Sequence, residues 1–524
     1  MHGIGIGKNK FMPLDINEQF KRTLDVLENS AKNVFITGKA GTGKSTLLDY
    51  FRNHTQKKVA VLAPTGVAAV NIKGQTIHSF FRFKPNITPE KAGRKSSKKI
   101  YKKLDAIIID EISMVRADLL DCVDKFLRVN GKKSNAPFGG VQMIFIGDLY
   151  QLPPVVVGNE RMIFKKEYDS EYFFSAKVFS RPDFSLEFIE LEKIYRQKDE
   201  KFIGLLNAIR NNSIDDNGLE LINERYFPDF ERKQNDFFIH LTPTNRVSQE
   251  VNKRELEKLS TQIFHYQGEI EGKFDEKYLP TEKIFSVKVG AQIMFLNNDR
   301  EKRWVNGTIG KIVSIEEENE ESLIKVKLNS GMMVEVFPYT WELFEFYFDE
   351  NKGRLGSRTI GSFTQYPLKL AWSVTIHKSQ GKTFDKVIID IDRGTFAHGQ
   401  MYVALSRCTT LEGIILKKKI LKKHIWMDWR VVKFLTSFQY EISQNNLPLE
   451  KKIEIIKDSI KNKKKLEIIY LKSDDTKSRR VILPKKFGQM EYMEKKFIGV
   501  IARCLTRNDD RVFRVDRILE MKVL

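Results

Sequence analysis

The sequence predicts an α/β protein with parallel, doubly wound sheets, and three observations support this fold class. A glycine-rich turn at residues 38–45 separates a run of strand-forming residues from a helix. Apolar strands and helices alternate up to residue 154 and again after residue 368, which is typical of parallel sheets. Residues 299–365 instead carry short alternating strands with glycine turns, which predicts a small β-barrel inserted in the second sheet.

Length and charge narrow the class of protein. At 524 residues the chain is too long for one core, and roughly three to five modules are expected. Lys and Arg number 89 against 68 Asp and Glu, a net charge of +21, and aromatic residues make up 11%. This excess favours a polyanionic partner, and rings that can stack on bases favour nucleic acid. The alternative on charge alone is a basic surface kept for solubility.

Cysteine count and hydropathy exclude several classes. The three cysteines Cys122, Cys408 and Cys504 contain no C-x-x-C pair. This argues against a disulfide framework, a zinc ribbon and a four-cysteine iron–sulfur cluster. Residues 1–10 are rich in glycine and lysine and lack the apolar segment of a secretion signal. No apolar run approaches the ~20 residues of a membrane span. We therefore expect a soluble, cytoplasmic protein without a membrane partner.

The strongest motif is the turn at residues 38–45, which fits the G-x-x-x-x-G-K-[ST] pattern of a P-loop. Its glycines let backbone N–H groups and the positive end of the next helix meet one phosphate chain. Lys44 is expected to reach the β- and γ-phosphates, and the Ser45 hydroxyl to ligate Mg²⁺. The alternative is an ordinary glycine turn. The predicted nucleotide-binding residues of this turn are Gly38, Gly41, Thr42, Gly43, Lys44, Ser45 and Thr46.

Acidic and amide side chains complete the predicted nucleotide site. The apolar strand at residues 106–109 delivers Asp110 and Glu111 at its carboxyl end. In a P-loop ATPase, Asp110 would hold Mg²⁺ and Glu111 would orient and deprotonate the attacking water. The alternative is a pair of solvated turn residues. Gln151 follows the next apolar strand and is placed to sense the γ-phosphate, while the amide of Gln19 suits the adenine edge.

A second set of residues suits a nucleic-acid surface. Pro64 and Thr65 follow a buried strand, and residues 74–81 bring together a His, hydroxyls and two Phe. Such a surface can grip a backbone and stack on bases, although core packing is an equal alternative for Phe81. The basic run at residues 91–103 is interpreted either as a solvated helix face or as a phosphate track.

The remaining chain predicts a second parallel sheet and a basic tail. The second sheet is expected to begin near residue 185 and to carry Arg196, which suits a role on phosphates from outside. Polar residues and a proline at 445–448 indicate a linker. Residues 450–524 contain 21 Lys/Arg and 12 Asp/Glu, so 21 − 12 = +9 lies in this tail. We therefore expect the tail to contact nucleic acid as well.

Taken together, the motifs resemble a superfamily 1 helicase. The residues that carry the resemblance are Gln19, the P-loop, 63–66, Asp110 and Glu111, 147–154 and Arg407. The phrases at 74–81, 304–308, 375–381 and 402–407 are similar to the petite-integration-frequency (PIF) group. Members of that group unwind DNA in the 5′→3′ direction. The resemblance covers about residues 14–440. It implies two RecA-like P-loop NTPase domains, DNA-stimulated ATP hydrolysis, and ATP and Mg²⁺ as cofactors.

The resemblance also implies roles for individual residues. Gln19 would contact adenine, Gly381 would line the nucleotide site, and Arg196 and Arg407 would act from the second sheet as arginine fingers. Opening and closing of the cleft would alternate the grip of two surfaces on one DNA strand. The implied DNA contacts are Pro64, Thr65, His78, Ser79, Phe80 and Pro154 in the first domain and Thr244, Asn245, His377, Lys378 and Ser379 in the second.

Domain limits follow from the same resemblance. They are a first RecA-like domain at 1–184 with a wedge at 66–77, a second at 185–298 and 366–442, an SH3-like barrel at 299–365, a linker at 443–449 and a WYL-like domain at 450–524. The small β-rich tail resembles a WYL domain of nucleic-acid-responsive bacterial proteins through residues 469–470, 479–484 and 511–518. Phe497, Ile498 and Gly499 stand where Trp-Tyr-Leu is expected. Its arginines would form a basic strip or, alternatively, surface salt bridges; they are Arg503, Arg507, Arg511, Arg514 and Arg517.

The leading expectation is therefore an ATP-dependent 5′→3′ DNA helicase with roles in repair, recombination and replication. Its partners would be single-stranded DNA and single-strand/duplex junctions, with G-quadruplexes and RNA–DNA hybrids as further candidates. We expect a functional monomer associated with a bacterial nucleoid. Two alternatives stay open. One is a nucleic-acid-binding regulator whose ATPase is a switch, and the other is a small-molecule kinase, which would not need Arg196, Arg407 and two sheets.

Overall fold

The computed structural model describes residues 17–524 except 85–86, 157–159, 198, 234–235, 319–320, 352, 392–393, 395–396, 473–476 and 493–494. The prediction for residues 1–10 therefore lies outside the described residues. The chain forms two compact units. The first comprises the chain up to Asp148, Pro154–Gln197 and Asn252–Trp372, and the second comprises Leu149–Pro153, Lys198–Val251 and Ser373–Leu524.

A six-stranded parallel sheet organises the first unit, in the order β3-β2-β4-β5-β1-β6. Its strands are β1 (Asn33–Gly38), β2 (Val59–Ala63), β3 (Gln75–Thr76), β4 (Ala106–Ile109), β5 (Gln142–Ile146) and β6 (Leu186–Leu191). The helices of this part are α1 (Glu18–Asn29), α2 (Lys44–His54), α3 (Gly66–Asn71), α4 (Ile77–Phe81), α5 (Pro89–Ala92), α6 (Ile100–Lys103), α7 (Ala117–Asn130) and α8 (Glu160–Glu167). The predicted parallel sheet is confirmed.

The central strands are apolar because parallel sheets are covered on both faces. Every position of β4 and β5 is buried. One side of the sheet packs Val34, Ile36, Ile108 and Ile144 against Leu47 of α2. Burial of each such side chain stabilises the fold by roughly 1.5–3 kcal/mol, so the sheet supplies a firm base for the loops at its carboxyl edge.

Strand β6 corrects a predicted domain limit. The sequence predicts that residues from 185 onward belong to the second sheet. Instead, β6 pairs in parallel with β1 along its whole length, from Leu186 opposite Asn33 to Leu191 opposite Gly38. A strand pattern does not tell which sheet the strand joins, so this limit was wrong. The segment 66–77, predicted as a separate wedge, folds as α3 followed by the edge strand β3 of the same sheet.

The chain then enters the second unit. Its next elements are α9 (Glu200–Arg210), α10 (Asp216–Asn223), β7 (Ile239–Thr242) and α11 (Asn245–Glu257), of which α11 belongs to the second unit up to Val251. Asp199 and Asp215 cap α9 and α10 by accepting hydrogen bonds from first-turn N–H groups. Caps of this kind satisfy donors that a helix leaves unpaired at its start.

An antiparallel β-rich region follows within the first unit. Its strands are β8 (Ile263–Gln267), β9 (Glu269–Gly272), β10 (Ile284–Lys288), β11 (Gln292–Phe295), β12 (Ile309–Glu318), β13 (Glu321–Leu328), β14 (Met333–Val336), β15 (Tyr339–Asp349), β16 (Arg354–Gln365) and β17 (Leu368–Leu370). They pair as β14-β13-β12-β11-β17, β15-β16-β9 and β10-β8. The β-rich insertion is confirmed, but the limits 299–365 are too narrow because β9, β11 and β17 join the same sheets.

The second parallel sheet has four strands in the order β18-β7-β19-β20. Its remaining elements are β18 (Ser373–Thr375), β19 (Val387–Ile389), α12 (Gln400–Leu405), β20 (Ile414–Leu416) and α13 (Trp429–Asn446). Each strand pair is parallel, so all four carboxyl ends lie at one edge of the sheet. Among the described residues, none of the helices is both long and apolar enough to span a bilayer.

The tail is a five-stranded antiparallel sheet, β24-β23-β22-β21-β25, packed on one helix. Its elements are α14 (Leu449–Lys461), β21 (Leu466–Leu471), β22 (Lys477–Tyr492), β23 (Lys495–Cys504), β24 (Asp509–Arg514) and β25 (Ile518–Val523). The linker predicted at 443–449 was wrong: α13 runs to Asn446 and α14 begins at Leu449. Ser443 of α13 donates a hydrogen bond to the Leu519 carbonyl at 2.7 Å, so this helix contacts the tail directly.

Candidate nucleotide and nucleic-acid sites

The P-loop lies between β1 and α2 of the first unit. Gly41 and Gly43 adopt φ angles of +84° and +86°, which favour glycine. A Cβ atom at Gly41 would lie 2.5 Å from the Cβ of Arg196, so this position also needs glycine for space. The Lys44 ammonium donates to the carbonyls of Gly38 at 2.7 Å and Lys39 at 3.1 Å. The loop therefore curls around a positive charge.

The helix after the loop is arranged for an anion. α2 begins at Lys44, and no side chain caps its first turn, since the N-cap position is Gly43. Uncapped N–H groups and the helix dipole both favour a bound phosphate. Ser45 and Thr46 are exposed, while Thr42 is buried and donates to the Lys39 carbonyl at 3.0 Å. The hydroxyl of Ser45 is therefore accessible to a metal ion at the loop.

The predicted acid pair stands at the carboxyl end of β4. Burial raises the pKa of Asp110 to about 6, although Lys44 and a backbone hydrogen bond act in the opposite direction. Glu111 has a φ of +51°, a strained backbone for a non-glycine residue. A carboxylate that is costly to ionise alone becomes favourable beside a cation. The pair thus suits a site where a metal ion supplies positive charge.

These residues fit ATP with Mg²⁺. Within the described part of the chain, no group of three or more His, Cys, Asp or Glu side chains could hold a metal ion by itself. Mg²⁺ does not require one, because it is usually held by one or two carboxylates together with substrate phosphates. Ser45 and Asp110 would supply the protein ligands, and Lys44 and the α2 N–H groups would meet the phosphates.

The segment after β6 wraps around the P-loop. The backbone N–H of Tyr195 donates to the Gly41 carbonyl at 2.8 Å, and the Tyr195 ring lies 3.8 Å from the Cβ position of Gly43. Arg196 follows and lies in the first unit. The prediction that Arg196 acts from the second sheet was wrong, because β6 belongs to the first sheet. The contact of Tyr195 with the P-loop was not predicted from the sequence. Its position next to Arg196 was the one signal that could have indicated it.

Gln19 is engaged with this same segment. Its amide nitrogen donates to the Glu190 carbonyl, and its oxygen accepts from the backbone N–H of Glu192 at 3.1 Å. Helix α1 is thereby tied to the end of β6. The amide donor and the amide acceptor that would contact adenine are both hydrogen-bonded to the main chain in this arrangement. The adenine contact therefore stays a prediction.

Gln151 lies in the second unit, within the five-residue stretch that directly follows the first-sheet strand β5 and Asp148. It is 7% exposed. The stretch is held there at two points. His398 forms a hydrogen bond of 2.8 Å with the Leu149 carbonyl, and the guanidinium of Arg210 stacks 3.9 Å from the Tyr150 ring. The position of Gln151 is therefore fixed by second-unit residues.

Arg407 follows α12 and is 1% exposed. Its Nε donates to the Val403 carbonyl at 2.9 Å. Its Nη1 donates to the carbonyls of Ser379 at 3.3 Å and Lys382 at 3.2 Å, and its Nη2 donates to the Ser406 hydroxyl at 2.9 Å. The arginine thus fastens the turn at 377–382 to the end of α12. Burial lowers the pKa of Lys382 in that turn to about 8.

The first-unit residues predicted to contact DNA differ in their exposure to solvent. Thr65 and Ser79 are exposed, and Pro64 and His78 are half-buried. Two predicted contacts were wrong in their proposed form, because Phe80 is 3% exposed and Pro154 is buried. The Phe80 ring packs edge-on against Phe81 and Tyr101, which places it in the core rather than under a base.

The second-unit residues follow the carboxyl ends of β7 and β18. Thr244, Asn245 and Lys378 are exposed, and Gly381 is also exposed. His377 is half-buried, and burial lowers its pKa. Ser379 is fully buried and donates its hydroxyl to the Ile376 carbonyl at 2.7 Å, so the side-chain contact predicted for it was wrong. A hydroxyl bonded to its own turn shapes the loop instead.

The sequence allows two interpretations for each of two basic stretches, residues 91–103 and the tail. Both stretches contain ion pairs. In the run at 91–103, Lys98 pairs with Glu345 at 2.6 Å and Lys99 pairs with Glu350 at 2.7 Å. In the tail, Arg511 pairs with Asp509 and Arg514 with Asp516. The salt-bridge alternative given for the tail is confirmed for Arg511 and Arg514. Ion pairing was neither alternative for residues 91–103, where the charges of Lys98 and Lys99 are partly neutralised.

Two parallel α/β sheets, the first with a complete P-loop and an acid pair, define a P-loop ATPase. Residues 16–219 match the PIF1-like helicase family and residues 451–523 match the WYL domain. The chain is similar to the ATP-dependent DNA helicase Pif1 of Campylobacter jejuni, 32% identical over 406 residues that cover 72% of this chain and 87% of the relative. It is 33% identical to human ATP-dependent DNA helicase PIF1 over 400 residues, 73% of this chain and 58% of the human protein.

Solved structures agree with this relationship. Bacteroides sp. Pif1 in complex with ADP-AlF4 superposes with a TM-score of 0.74 at 37% identity, over 82% of this chain and 98% of that one. Bacteroides Pif1 bound to single-stranded DNA gives a TM-score of 0.59 at 38% identity, over 82% and 98%. The chain belongs to the PIF1-like helicases. It is an ATP-dependent DNA helicase that hydrolyses ATP and carries a C-terminal WYL domain.

Proposed function

We propose that this helicase moves along single-stranded DNA in the 5′→3′ direction and opens duplex or forked DNA ahead of it. The observation that carries the proposal is the Arg407 hydrogen-bond network. It links the end of α12 to the turn that holds His377 and Lys378. Arg407, proposed to act on the nucleotide, is thereby bonded to the turn that carries the proposed DNA contacts His377 and Lys378. We therefore expect a change at either one to affect the other.

We assign the nucleotide chemistry to the residues at the loop. Lys44 binds the terminal phosphates, Ser45 and Asp110 hold Mg²⁺, and Glu111 accepts a proton from the attacking water. Mg²⁺ neutralises charge on the phosphates when it is bound. Four further roles are proposed around the nucleotide. Gln19 contacts adenine, Gln151 contacts the γ-phosphate and Gly381 lines the site. Arg196 and Arg407 contact the transferring phosphoryl group.

The DNA track follows from the exposed members of the two motif groups. We propose that Pro64, Thr65, His78 and Ser79 hold the strand on one surface and Thr244, Asn245, His377 and Lys378 on the other. Bacteroides Pif1 has been solved bound to single-stranded DNA. Another similar structure concerns DNA unwinding at forked duplex DNA by two coordinating Pif1 helicases. G-quadruplexes and RNA–DNA hybrids are further candidate substrates. We propose that one copy suffices for movement on a single strand, within a bacterial nucleoid.

Energy supply does not limit such a motor. One base-pair step costs on average about 1.4 kcal/mol to separate, which one ATP turnover exceeds. Directionality is the demanding part, since the two DNA surfaces must release in a fixed order. The coupling through Arg407 supplies a physical route for that order, because the turn at 377–382 is bonded to it by two carbonyls.

The WYL domain has a regulatory role in this proposal. Its sheet contacts α13 through the Ser443 hydroxyl, which donates to the Leu519 carbonyl at 2.7 Å. Lys452 of α14 adds a second contact, since its ammonium donates to the same hydroxyl at 2.7 Å. Several of its arginines are paired with neighbouring aspartates, so its surface offers fewer unpaired cations to DNA than its composition indicates. Docking on a helix of the motor unit suits a domain that modulates activity.

The deciding experiment compares unwinding of a 5′-tailed and a 3′-tailed duplex with ATP and Mg²⁺. We expect strand separation from the 5′-tailed substrate and little from the 3′-tailed one. Equal unwinding of both, or preference for the 3′ tail, contradicts the proposed direction. DNA-stimulated hydrolysis without any strand separation would favour the regulator with an ATPase switch.

A further inference from the structure

A basic and aromatic segment follows the last strand of the second parallel sheet. Between Glu412 and Asp428 there are five lysines and no acidic residue. Several side chains of this segment are exposed, and we call them the Trp-Lys patch: Lys418, Lys419, Leu421, Lys422, Lys423, Trp426 and Trp429. The motifs that define the helicase do not include these residues.

The patch is held in place from beneath. Lys417 donates to the carbonyls of Pro228 and Phe230, both at 2.7 Å. The Asn223 amide clamps Ile420 by accepting from its N–H at 2.8 Å and donating to its carbonyl at 2.9 Å. Both Ile420 and Ile425 are buried. Ile420 and Ile425 therefore anchor the segment, and the exposed lysines and tryptophans around them are carried on a fixed backbone.

The tryptophans are the unusual element. Of five tryptophans in the chain, Trp304, Trp341 and Trp372 are buried, whereas Trp426 is 43% and Trp429 is 68% exposed. Exposed apolar side chains that lie close together and are rimmed by polar residues are typical of an interaction site. Trp429 is the first residue of α13, where Asp428 caps the helix and pairs with Arg430 at 2.5 Å. The exposed indole is thus carried on a rigid helix start.

Three lysines of the patch present exposed charges to a partner, namely Lys419, Lys422 and Lys423. Among the described residues, Lys422 and Lys423 form no ion pair within 4.0 Å. Lys419 lies 5.6 Å from the Tyr226 ring, which leaves its charge unneutralised. The pKa of His424 is lowered by burial and by the neighbouring Lys423 and Lys418, so the positive potential is felt within the segment itself. This contrasts with the ion-paired arginines of the tail.

The place of the patch in the sheet is also informative. The four parallel strands end at one edge in the order β18-β7-β19-β20. The predicted DNA residues Thr244 and Lys378 follow β7 and β18, and the patch follows β20. Neighbouring strands are spaced by about 4.8 Å, so the patch begins roughly 10–15 Å along the same edge. A strand gripped at β7 and β18 needs only a few more nucleotides to reach it.

We propose that the Trp-Lys patch is a further binding site for single-stranded DNA. Its tryptophans stack on unpaired bases and its lysines meet the flanking phosphates, which is how single-stranded nucleic acid is held without sequence preference. The site rests on the proposed function and lengthens its DNA track along the second sheet. A protein partner fits less well, because lysine is depleted at protein interfaces.

The test uses the full-length protein and oligo(dT) of increasing length. The variants are Trp429→Ala and the double reversal Lys422→Glu/Lys423→Glu. The matched control is Lys201→Glu/Lys233→Glu, two exposed second-unit lysines whose reversal makes the same change in net charge. Binding is measured by anisotropy against salt concentration. Circular dichroism and the melting temperature establish that each variant is folded.

We expect both patch variants to bind long oligo(dT) more weakly while short oligo(dT) is bound normally. Loss of one stacked base weakens binding roughly 5- to 150-fold. Loss of two phosphate contacts lowers the slope of log K against log salt by roughly 1.4. The control double variant is expected to keep the wild-type slope.

Intrinsic fluorescence supplies a direct readout. Oligo(dT) is expected to quench tryptophan emission, and Trp426→Phe/Trp429→Phe is expected to lose that quenching while retaining binding, since phenylalanine still stacks. Patch variants that bind long oligo(dT) as the control does, in a protein that unwinds 5′-tailed duplex, overturn the patch alone. Absence of oligo(dT) binding in the wild-type protein overturns the proposed function as well.

Discussion

Arg407 donates a hydrogen bond from its guanidinium Nη1 to the main-chain carbonyl of Ser379, at 3.3 Å. The same nitrogen reaches the Lys382 carbonyl at 3.2 Å. The arginine assigned to ATP hydrolysis therefore supports the turn assigned to DNA. Planar guanidinium groups can serve several acceptors at fixed angles, which a lysine cannot do.

Arg407→Lys tests this relationship. We expect DNA-stimulated ATP hydrolysis to fall by roughly 10³–10⁵, the range typical for loss of an arginine that stabilises phosphoryl transfer. Affinity for single-stranded DNA is expected to fall several-fold as well, because the turn at 377–382 loses two supports. Lys378→Ala is the control and is expected to weaken DNA binding while hydrolysis at saturating DNA is retained. Loss of hydrolysis in Arg407→Lys with unchanged DNA affinity would separate the two roles.

Lys44→Ala and Glu111→Gln test the assignment at the P-loop. Each is expected to abolish unwinding of a 5′-tailed duplex while leaving single-strand binding largely intact, since neither residue belongs to the DNA surfaces. General-base loss at Glu111 alone should lower ATP hydrolysis by roughly 10²–10⁴. Strand displacement and anisotropy measure the two outcomes. Continued unwinding by either variant is incompatible with the site.

Gly41→Ala tests the close approach of Arg196 to the P-loop. A Cβ atom would lie 2.5 Å from the Arg196 Cβ, and both backbones would have to move. We expect ATP binding to fall at least tenfold. Gly331→Ala is the control, because Gly331 has a similar φ of +89° and no heavy atom within 4 Å of its Cβ position. It should show only the backbone strain of about 1–2 kcal/mol in stability, with normal ATP binding. Nucleotide affinity and melting temperature report both effects.

Glu345 predicts an acid-dependent loss of stability. Burial alone would raise its pKa, but hydrogen bonds from Lys98 and Arg358 outweigh burial and lower it to about 2. A folded pKa below the ordinary value of 4.5 stabilises the fold fully above that pH. The stabilisation is lost as the pH falls from about 4.5 towards 2.

The corresponding variant is Glu345→Gln. It should destabilise the fold by about 1–3 kcal/mol at neutral pH. It should also make the melting temperature less dependent on pH in the acid range. Glu350→Gln is the control, because Glu350 and its partner Lys99 are both largely exposed, and exposed pairs contribute little. Melting temperatures between pH 7 and acid pH decide between them. Parallel curves for wild type and Glu345→Gln would contradict the assignment.

Ser443 and Lys452 test how the WYL domain is docked. Lys452 is 2% exposed, and burial lowers the pKa of its ammonium group. Ser443→Ala removes its acceptor and should cost about 1–3 kcal/mol. Lys452→Met removes the charge at similar length and is expected to be near neutral or stabilising. In the Lys452→Met background, Ser443→Ala should cost clearly less. Thermal unfolding and limited proteolysis near residues 447–448 measure the effect, and equal costs in both backgrounds would mean the two side chains act independently.

Local features were predictable from the sequence. The P-loop, the acid pair and the strands that carry them depend on residues adjacent in the chain. Membership of a sheet is not local, which is why β6 and Arg196 were assigned to the wrong sheet. Hydrogen bonding between β6 and β1 joins residues about 150 positions apart, and no turn residue or periodicity records such a pairing.

The direction in which side chains point on short helices and turns could not be predicted from the sequence either. Ser79 and Phe80 are neighbours on a five-residue helix, one exposed and one buried, and so short a helix carries no readable period. Ser379 was indistinguishable by type from a phosphate-binding serine until its hydroxyl was seen to bond the Ile376 carbonyl. Trp426 and Trp429 drew no notice, because apolar residues are assigned to the core by default.

The pairing of β7 with β18 and β19 has a consequence for biosynthesis. β7 ends at Thr242 and β18 begins at Ser373, so its neighbours leave the ribosome about 130 residues later, roughly 7–26 s at ordinary translation rates. The six strands of the first sheet are all complete by Leu191. The strands of the P-loop sheet are thus all synthesised well before the second sheet can form. During that interval both edges of β7 lack their partner strands and are accessible to chaperones.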